Sequence, residues 1–186
     1  MAQVIGAVPV KFIIGVLFSA EDVLPQVKVY LQKRFGPFDF QSAVLPFNYT
    51  AYYDDQMGPD LRRQFLSVER LIEPKRLADI KLYTNKLEAK LSRKRGAVRQ
   101  NKVFPRRINL DPGYICAAKL VLATCKDYSH RIYLGKGIYA EVTLQYRGNS
   151  FAPQEWTYPD YRSKEYLEIF KAVRALYMKQ LSLFRQ

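Results

Sequence analysis

Val8 to Phe18, a run dominated by Val, Ile and Phe, constrains this chain more than any other stretch. Such a run reads as a strand buried in the middle of a sheet rather than at its edge. Its continuous apolar part, Phe12 to Phe18, is far too short to cross a bilayer. No basic start precedes a long apolar stretch, so no signal peptide is expected.

A helix should follow. Ser19 can cap it, with Asp22 three residues on, and Val23, Leu24, Val27, Tyr30 and Leu31 recur at helical spacing. Pro25 falls in its first turns and Phe35-Gly36-Pro37 ends it. Phe38 to Phe47 reads as a second strand, leading into an aromatic, acidic loop from Tyr49 to Pro59. Leu61 to Ile72 alternates in character and reads as a third strand with one exposed face. Pro74 is placed to open a second helix, striped by Leu77, Ile80, Leu87 and Leu91.

Next comes Phe104 to Tyr114, the stretch on which chemistry should converge. Ile108 and Leu110 alternate with Asn109 and Asp111, so the two polar side chains leave one face of a short strand. Asp111-Pro112-Gly113 has the composition of a tight turn and should stop that strand. Asp111 is also a hard-cation ligand type, suited to magnesium, and a turn can present its carboxylate. Two further strands are expected at 117–124 and 131–146, the second folded at Gly135-Lys136-Gly137. A loop rich in aromatics and Pro leads to a last helix capped by Ser163, carrying Tyr166, Leu167, Phe170, Val173, Tyr177, Leu181 and Phe184.

This order implies an α+β fold, a ferredoxin-like sandwich. It would have a β-α-β-β-α-β core, an added β-hairpin region and a C-terminal helix, in a single domain over residues 1–186. The chain is long enough to bury a core of its own, and no segment has the composition of disorder.

Thirty Lys and Arg against seventeen Asp and Glu give a formal charge of +13, which favours anionic partners. Eight cations without an acid fall between Lys90 and Arg107: Lys90, Arg93, Lys94, Arg95, Arg99, Lys102, Arg106 and Arg107. A charge cluster is usually a solvated helix end, but bound anion would relieve its self-repulsion. Arg106 and Arg107, beside the strand, are the best placed to clamp phosphate through bidentate guanidinium contacts. Tyr52, Tyr53, Trp156, Tyr158 and Tyr161 are candidate stacking residues, although loop aromatics as often cover a core edge. Cys116 and Cys125 lack any metal or redox spacing and suit free thiols in a reducing cytoplasm. Neither GxxxxGK[ST] nor GxGxxG occurs, and His130, the one histidine, is the usual general-base candidate, though a lone histidine is more often structural.

Two resemblances add to this reading. Leu110 to Tyr114, Ser129 to Thr143 and Trp156 to Arg162 resemble an uncharacterised prokaryotic family known only as a domain of unknown function, number four thousand four hundred and sixteen. More distantly, Pro105-Arg-Arg-Ile-Asn-Leu-Asp111 is similar to the Pro-Arg-Thr-Ile-Asp-Leu-Asp segment of hydroxymethyl-dihydropterin pyrophosphokinases. In those ferredoxin-like enzymes the two aspartates hold magnesium ions bridging ATP and pterin. That resemblance implies metal ligation at Asn109 and Asp111, and nucleotide contact at Arg106, His130 and Lys136. Asn109 replaces the first aspartate, Ser67 stands for a pterin-binding Asn, and Ile138 stands for a stacking aromatic. These departures argue against the pterin reaction.

The expectation is therefore magnesium-assisted binding of a purine nucleotide, ATP or GTP. Phosphates would be held by Arg106, Arg107, His130 and Lys136, metal by Asp111 and Asn109, with His130 and Lys136 as catalytic candidates for phosphoryl or pyrophosphoryl transfer. The alternative is a non-enzymatic RNA-binding module using the basic surface.

Overall fold

The computed structural model describes residue 3 and residues 6–93, 97–99 and 102–183, with side chains described outside 93–102. In chain order its elements are β1 (Lys11–Phe18), α1 (Val23–Phe35), β2 (Phe38–Gln41), β3 (Leu45–Phe47), α2 (Asp54–Met57), β4 (Leu61–Val68) and α3 (Leu77–Arg93). These are followed by β5 (Ala97–Arg99), β6 (Lys102–Phe104), β7 (Ile108–Ile115), β8 (Lys119–Thr124), β9 (Ile132–Gly135), β10 (Ile138–Arg147), β11 (Ser150–Pro153) and α4 (Lys164–Leu183).

β1 is buried along its whole length, as its composition requires. Successive side chains of a strand leave opposite faces. Phe12, Ile14, Val16 and Phe18 meet Val23, Val27, Leu31 and Phe35 of α1 and Ile80, Leu87 and Leu91 of α3. On the opposite face, Ile13 and Phe65 meet Tyr166, Phe170 and Val173 of α4. Each fully buried side chain of this kind contributes roughly 1.5–3 kcal/mol, so both helical layers are held by their apolar stripes. Lys11, wholly buried at the head of β1, is matched by Asp39 and by the Gln180 side-chain oxygen, the latter at 2.8 Å.

The ferredoxin-like sandwich is not what forms. Among the described residues there is one nine-stranded sheet in the order β11-β10-β8-β7-β1-β4-β2, with β3 also on β4 and β9 also on β10. Every pairing in it is antiparallel, and with four α-helices the protein is a mixed α+β fold. β5 and β6 make a separate two-stranded ladder. The reason lies in β7. It does not stop at Asp111-Pro112-Gly113 but runs on to Ile115, and through Gly113, Tyr114 and Ile115 it recruits β8, which brings β10, β9 and β11. Pro112 pairs with Ile14 of β1 and lies one residue outside the β7–β8 ladder, where a missing N–H leaves no bond to β8 unmade.

Three smaller expectations also change. The single strand over 38–47 is two strands, β2 and β3, parted at Ser42, whose hydroxyl accepts the Phe65 N–H at 3.0 Å. β4 has no exposed face: all of it except Arg62 is buried, because α4 covers the side left open in the alternating pattern. Asp22, not Ser19, is the N-cap of α1, and the Ser19 hydroxyl instead reaches the Arg107 carbonyl oxygen. Of the basic run, Lys94, Arg95 and the side chains of Arg93, Arg99 and Lys102 lie outside the described residues, as does Phe184. Among the described residues no helix is long and apolar enough to cross a membrane.

Candidate functional site

The splay of β7 from β8 makes the site. Only Gly113 to Ile115 of β7 pair with β8, so Ile108 to Pro112 have no strand on that side. An unpaired backbone edge must find other partners. Two side chains of α3 supply them: Glu88 accepts the Leu110 N–H at 2.8 Å and Lys81 donates to the Leu110 carbonyl oxygen at 2.8 Å. The gap that remains is a cleft of about 520 Å³. Arg106, Asn109 and Asp111 form the floor, Leu122 to Lys126 the far bank, and Tyr49, Tyr52, Tyr53, Tyr158 and Tyr161 wall it.

A chain of alternating donors and acceptors crosses the floor. Arg106 donates to Glu88 at 3.1 Å and to the Asn109 side-chain oxygen at 2.8 Å. The Asn109 amide donates to Asp111 at 2.8 Å, and Arg63 reaches Asp111 at 3.4 Å and Asp160 at 3.0 Å. Arg63 is 2% exposed and lies over Phe47, 4.8 Å from the ring centroid. Burial opposes its charge, but Tyr161, Asp111 and Asp160 around it outweigh that and hold its pKa above the ordinary value. Asp160 is also pushed up, first by its own burial and then by Asp111, with which it must share the one guanidinium. Burial likewise raises Glu88, against the pull of Lys81, the Leu110 N–H and Arg106.

On the far bank Glu141, 3% exposed, accepts from Arg131 at 2.9 Å and from Thr143 at 3.2 Å. The His130 Nε2 is 3.2 Å from the same carboxylate, and its ring is stacked on Trp156 with centroids 4.9 Å apart. At the mouth, Lys126 donates to the Tyr52 hydroxyl at 2.6 Å. This bond, the Lys126 charge and, more weakly, Arg106 hold the tyrosine below its usual pKa.

The residues singled out in the sequence are thus divided. Arg106, Asn109 and Asp111 share the cleft floor, and the same-face placement of Asn109 and Asp111 holds. His130 stands behind Glu141 rather than in the lining. Arg107 turns toward α1, bonded to Asp22. Lys136 is at the β9–β10 turn, where it pairs with Asp79 at 2.6 Å, both exposed. Of the proposed stacking residues, Tyr52, Tyr53, Tyr158 and Tyr161 line the cleft, while Trp156 covers His130 and donates to the Val142 carbonyl at 3.0 Å. Arg63, Lys81, Glu88, Glu141 and Asp160 were not foreseen. The one local hint was a pair of adjacent arginines in Leu61-Arg62-Arg63-Gln64-Phe65, since successive strand residues leave opposite faces and one of the two must point inward.

The donor set does not fit a protein-held magnesium ion. Both Asp111 oxygens are engaged, by Asn109 and by Arg63, and the guanidinium stands between the two carboxylates where a cation would bridge them. Among the described residues no three His, Cys, Asp or Glu side chains come together as a metal site.

No curated protein and no solved structure matches the chain. Residues 8–177 match one family, described as a domain of unknown function, DUF4416, and the chain belongs to that family.

Proposed function

We propose that the cleft binds a purine nucleotide, ATP or GTP. The observation that carries this reading is Tyr52 at the mouth, an exposed aromatic face with Lys126 4.4 Å above its ring and Arg106 close enough to bias its hydroxyl. A flat ring beside two exposed or half-exposed cations suits a ligand that is planar at one part and multiply anionic at another. The cleft volume of about 520 Å³ is in the range of pockets that enclose such ligands. Magnesium would arrive with the nucleotide rather than be held by the chain.

A thermal-shift titration tests this. Nucleotide at a hundredfold excess over its Kd stabilises by about 2.7 kcal/mol, a rise of roughly 5–10 °C for a domain of this size. ATP or GTP should produce it with and without magnesium. Release of pyrophosphate or phosphate in the same samples would extend binding to transfer.

A second reading rests on charge placement. The cleft is lined by five cations, Arg63, Lys81, Arg106, Lys126 and Arg131, and four carboxylates, Glu88, Asp111, Glu141 and Asp160. Only one of the thirteen surplus positive charges is therefore in the cleft. The rest of the surface favours a larger polyanion, and short RNA that binds steeply weaker with salt, while ATP and GTP give no shift, would move the assignment there.

A further inference from the structure

We propose that β9 pairs edge to edge with β9 of a second copy of this chain, giving a two-fold symmetric dimer whose sheet runs through both copies.

The open edge is the first ground. Among the described residues β9 is bonded to β10 alone, so its other side carries no strand. Unpaired backbone groups along such an edge are a template for another strand, and proteins commonly blunt them with a charge or a proline. The other edge strands of the sheet each carry such a residue: Asp39 in β2, Pro46 in β3 and Pro153 in β11. β9 reads Ile132-Tyr133-Leu134-Gly135 and has neither. Ile132, Tyr133 and Leu134 are 70%, 59% and 41% exposed. Three consecutive exposed apolar side chains mark a contact surface, whereas one alone would need no explanation. Tyr128, 66% exposed, extends this surface beside the His130 ring.

Charge and symmetry identify the occupant. With a formal charge of +13, two copies repel wherever their cations are free. The cations flanking β9 are answered within each copy, Arg131 by Glu141 at 2.9 Å and Lys136 by Asp79 at 2.6 Å. Two copies therefore meet here without opposing charge, and neither cation is left free for an acidic partner. An antiparallel pair related by a two-fold axis keeps each residue on its own face of the sheet. With the axis at Tyr133, Ile132 lies opposite Leu134 of the partner subunit and Tyr133 opposite the partner's Tyr133. Arg131 then lies opposite the partner's Gly135, where no side chain obstructs it. Apolar meets apolar and ring meets ring, which are the favoured cross-strand pairs. An edge of four residues makes a small interface, so the association belongs to the weak, concentration-dependent class.

Sedimentation equilibrium of the full chain without nucleotide, from micromolar to millimolar concentration, tests the pairing. The average mass should rise from 21.7 kDa toward twice that value. Added salt should strengthen the association by screening the like charge of the two copies. Ile132→Lys should weaken it at least about tenfold, because the two-fold axis sets the new charges against each other. The melting temperature of the monomer should not change, since the side chain is already exposed. Val29→Lys adds the same charge at a 64% exposed position on α1 and should leave the association nearly unchanged. Amide exchange in β9 should slow as concentration rises. A chain that stays at 21.7 kDa throughout overturns the pairing and leaves the edge to a strand from another protein. A dimer that survives Ile132→Lys, or that Val29→Lys weakens as much, overturns β9 as the interface. Neither result bears on nucleotide binding in the cleft.

Discussion

Gly113 of β7 faces Val121 of β8 so closely that a Cβ on the glycine would stand 2.3 Å from the valine carbonyl oxygen. The obstacle is backbone, which cannot rotate away, and Leu122 lies 2.7 Å from the same point. The ladder that joins the two halves of the sheet has only three residue pairs here, so an alanine must pry apart the strands that carry it. Gly113→Ala should cost about 2–4 kcal/mol, read as a fall in the urea midpoint. Gly6→Ala, with nothing within 4 Å of its added Cβ, should change stability by less than about 0.5 kcal/mol. Equal midpoints for the two variants would contradict the close approach.

The same tripeptide shows where sequence reasoning stops. Asp111-Pro112-Gly113 has turn chemistry, and nothing local distinguishes a turn from a strand that uses proline where a ladder ends and glycine where a neighbour crowds. One deciding partner, Ile14, is remote in sequence, and the other, Val121, meets Gly113 only once β8 has paired with the continued strand. Features set by local pattern were legible: the buried run of β1, the glycine stop of α1, the proline opening before α3, the hairpin at Gly135 to Gly137, and the Ser163 cap, whose hydroxyl meets the Tyr166 N–H at 3.3 Å. The shared face of Asn109 and Asp111 followed from strand alternation. Their neighbours Arg63, Glu88 and Asp160 come from β4, α3 and the segment before α4, and only the fold brings them together.

Removal of Arg63 alone should be severe. Arg63→Leu would leave Asp160, 6% exposed, and Asp111 without their cation. Breaking a buried pair from one side costs about 3–5 kcal/mol, mostly through the stranded partner. The double variant Arg63→Leu with Asp160→Asn should recover part of that loss, since one stranded carboxylate is gone. Chemical denaturation of wild type, both single variants and the double variant measures the coupling, and strict additivity would contradict it.

Glu88 gives the stability a pH dependence of definite sign. Burial raises its pKa on folding, so the folded state holds the proton better than the unfolded chain does. The stability due to this group is fully present below the ordinary carboxyl value and is lost as pH rises through the raised one. Asp160 acts in the same direction. Glu88→Gln keeps an oxygen for the Leu110 N–H without ionising. Its stability should therefore improve relative to wild type between about pH 4 and pH 7. Urea midpoints across that range test the slope, and a relative decline of the variant would contradict it.

Arg106 and Lys136 separate the cleft from the rest of the basic surface. Both carry a positive charge, but Arg106 lines the cleft with its side chain 28% exposed, whereas Lys136 is 63% exposed at the β9–β10 turn and engaged with Asp79. That pair is solvent-exposed, so it adds little to stability, although the hydrogen bond from Lys136 holds the Asp79 carboxyl below its usual range. A charge-assisted bond to phosphate is worth about 1.5–3 kcal/mol, so Arg106→Ala should weaken ATP binding roughly 10- to 100-fold. Lys136→Ala should leave both the affinity and the melting temperature unchanged. Calorimetric titration of the two variants makes the comparison, with Tm checked for each. If Lys136→Ala weakened binding as much as Arg106→Ala, the phosphates would have to run along the hairpin surface, and long-range charge rather than the cleft would govern recognition.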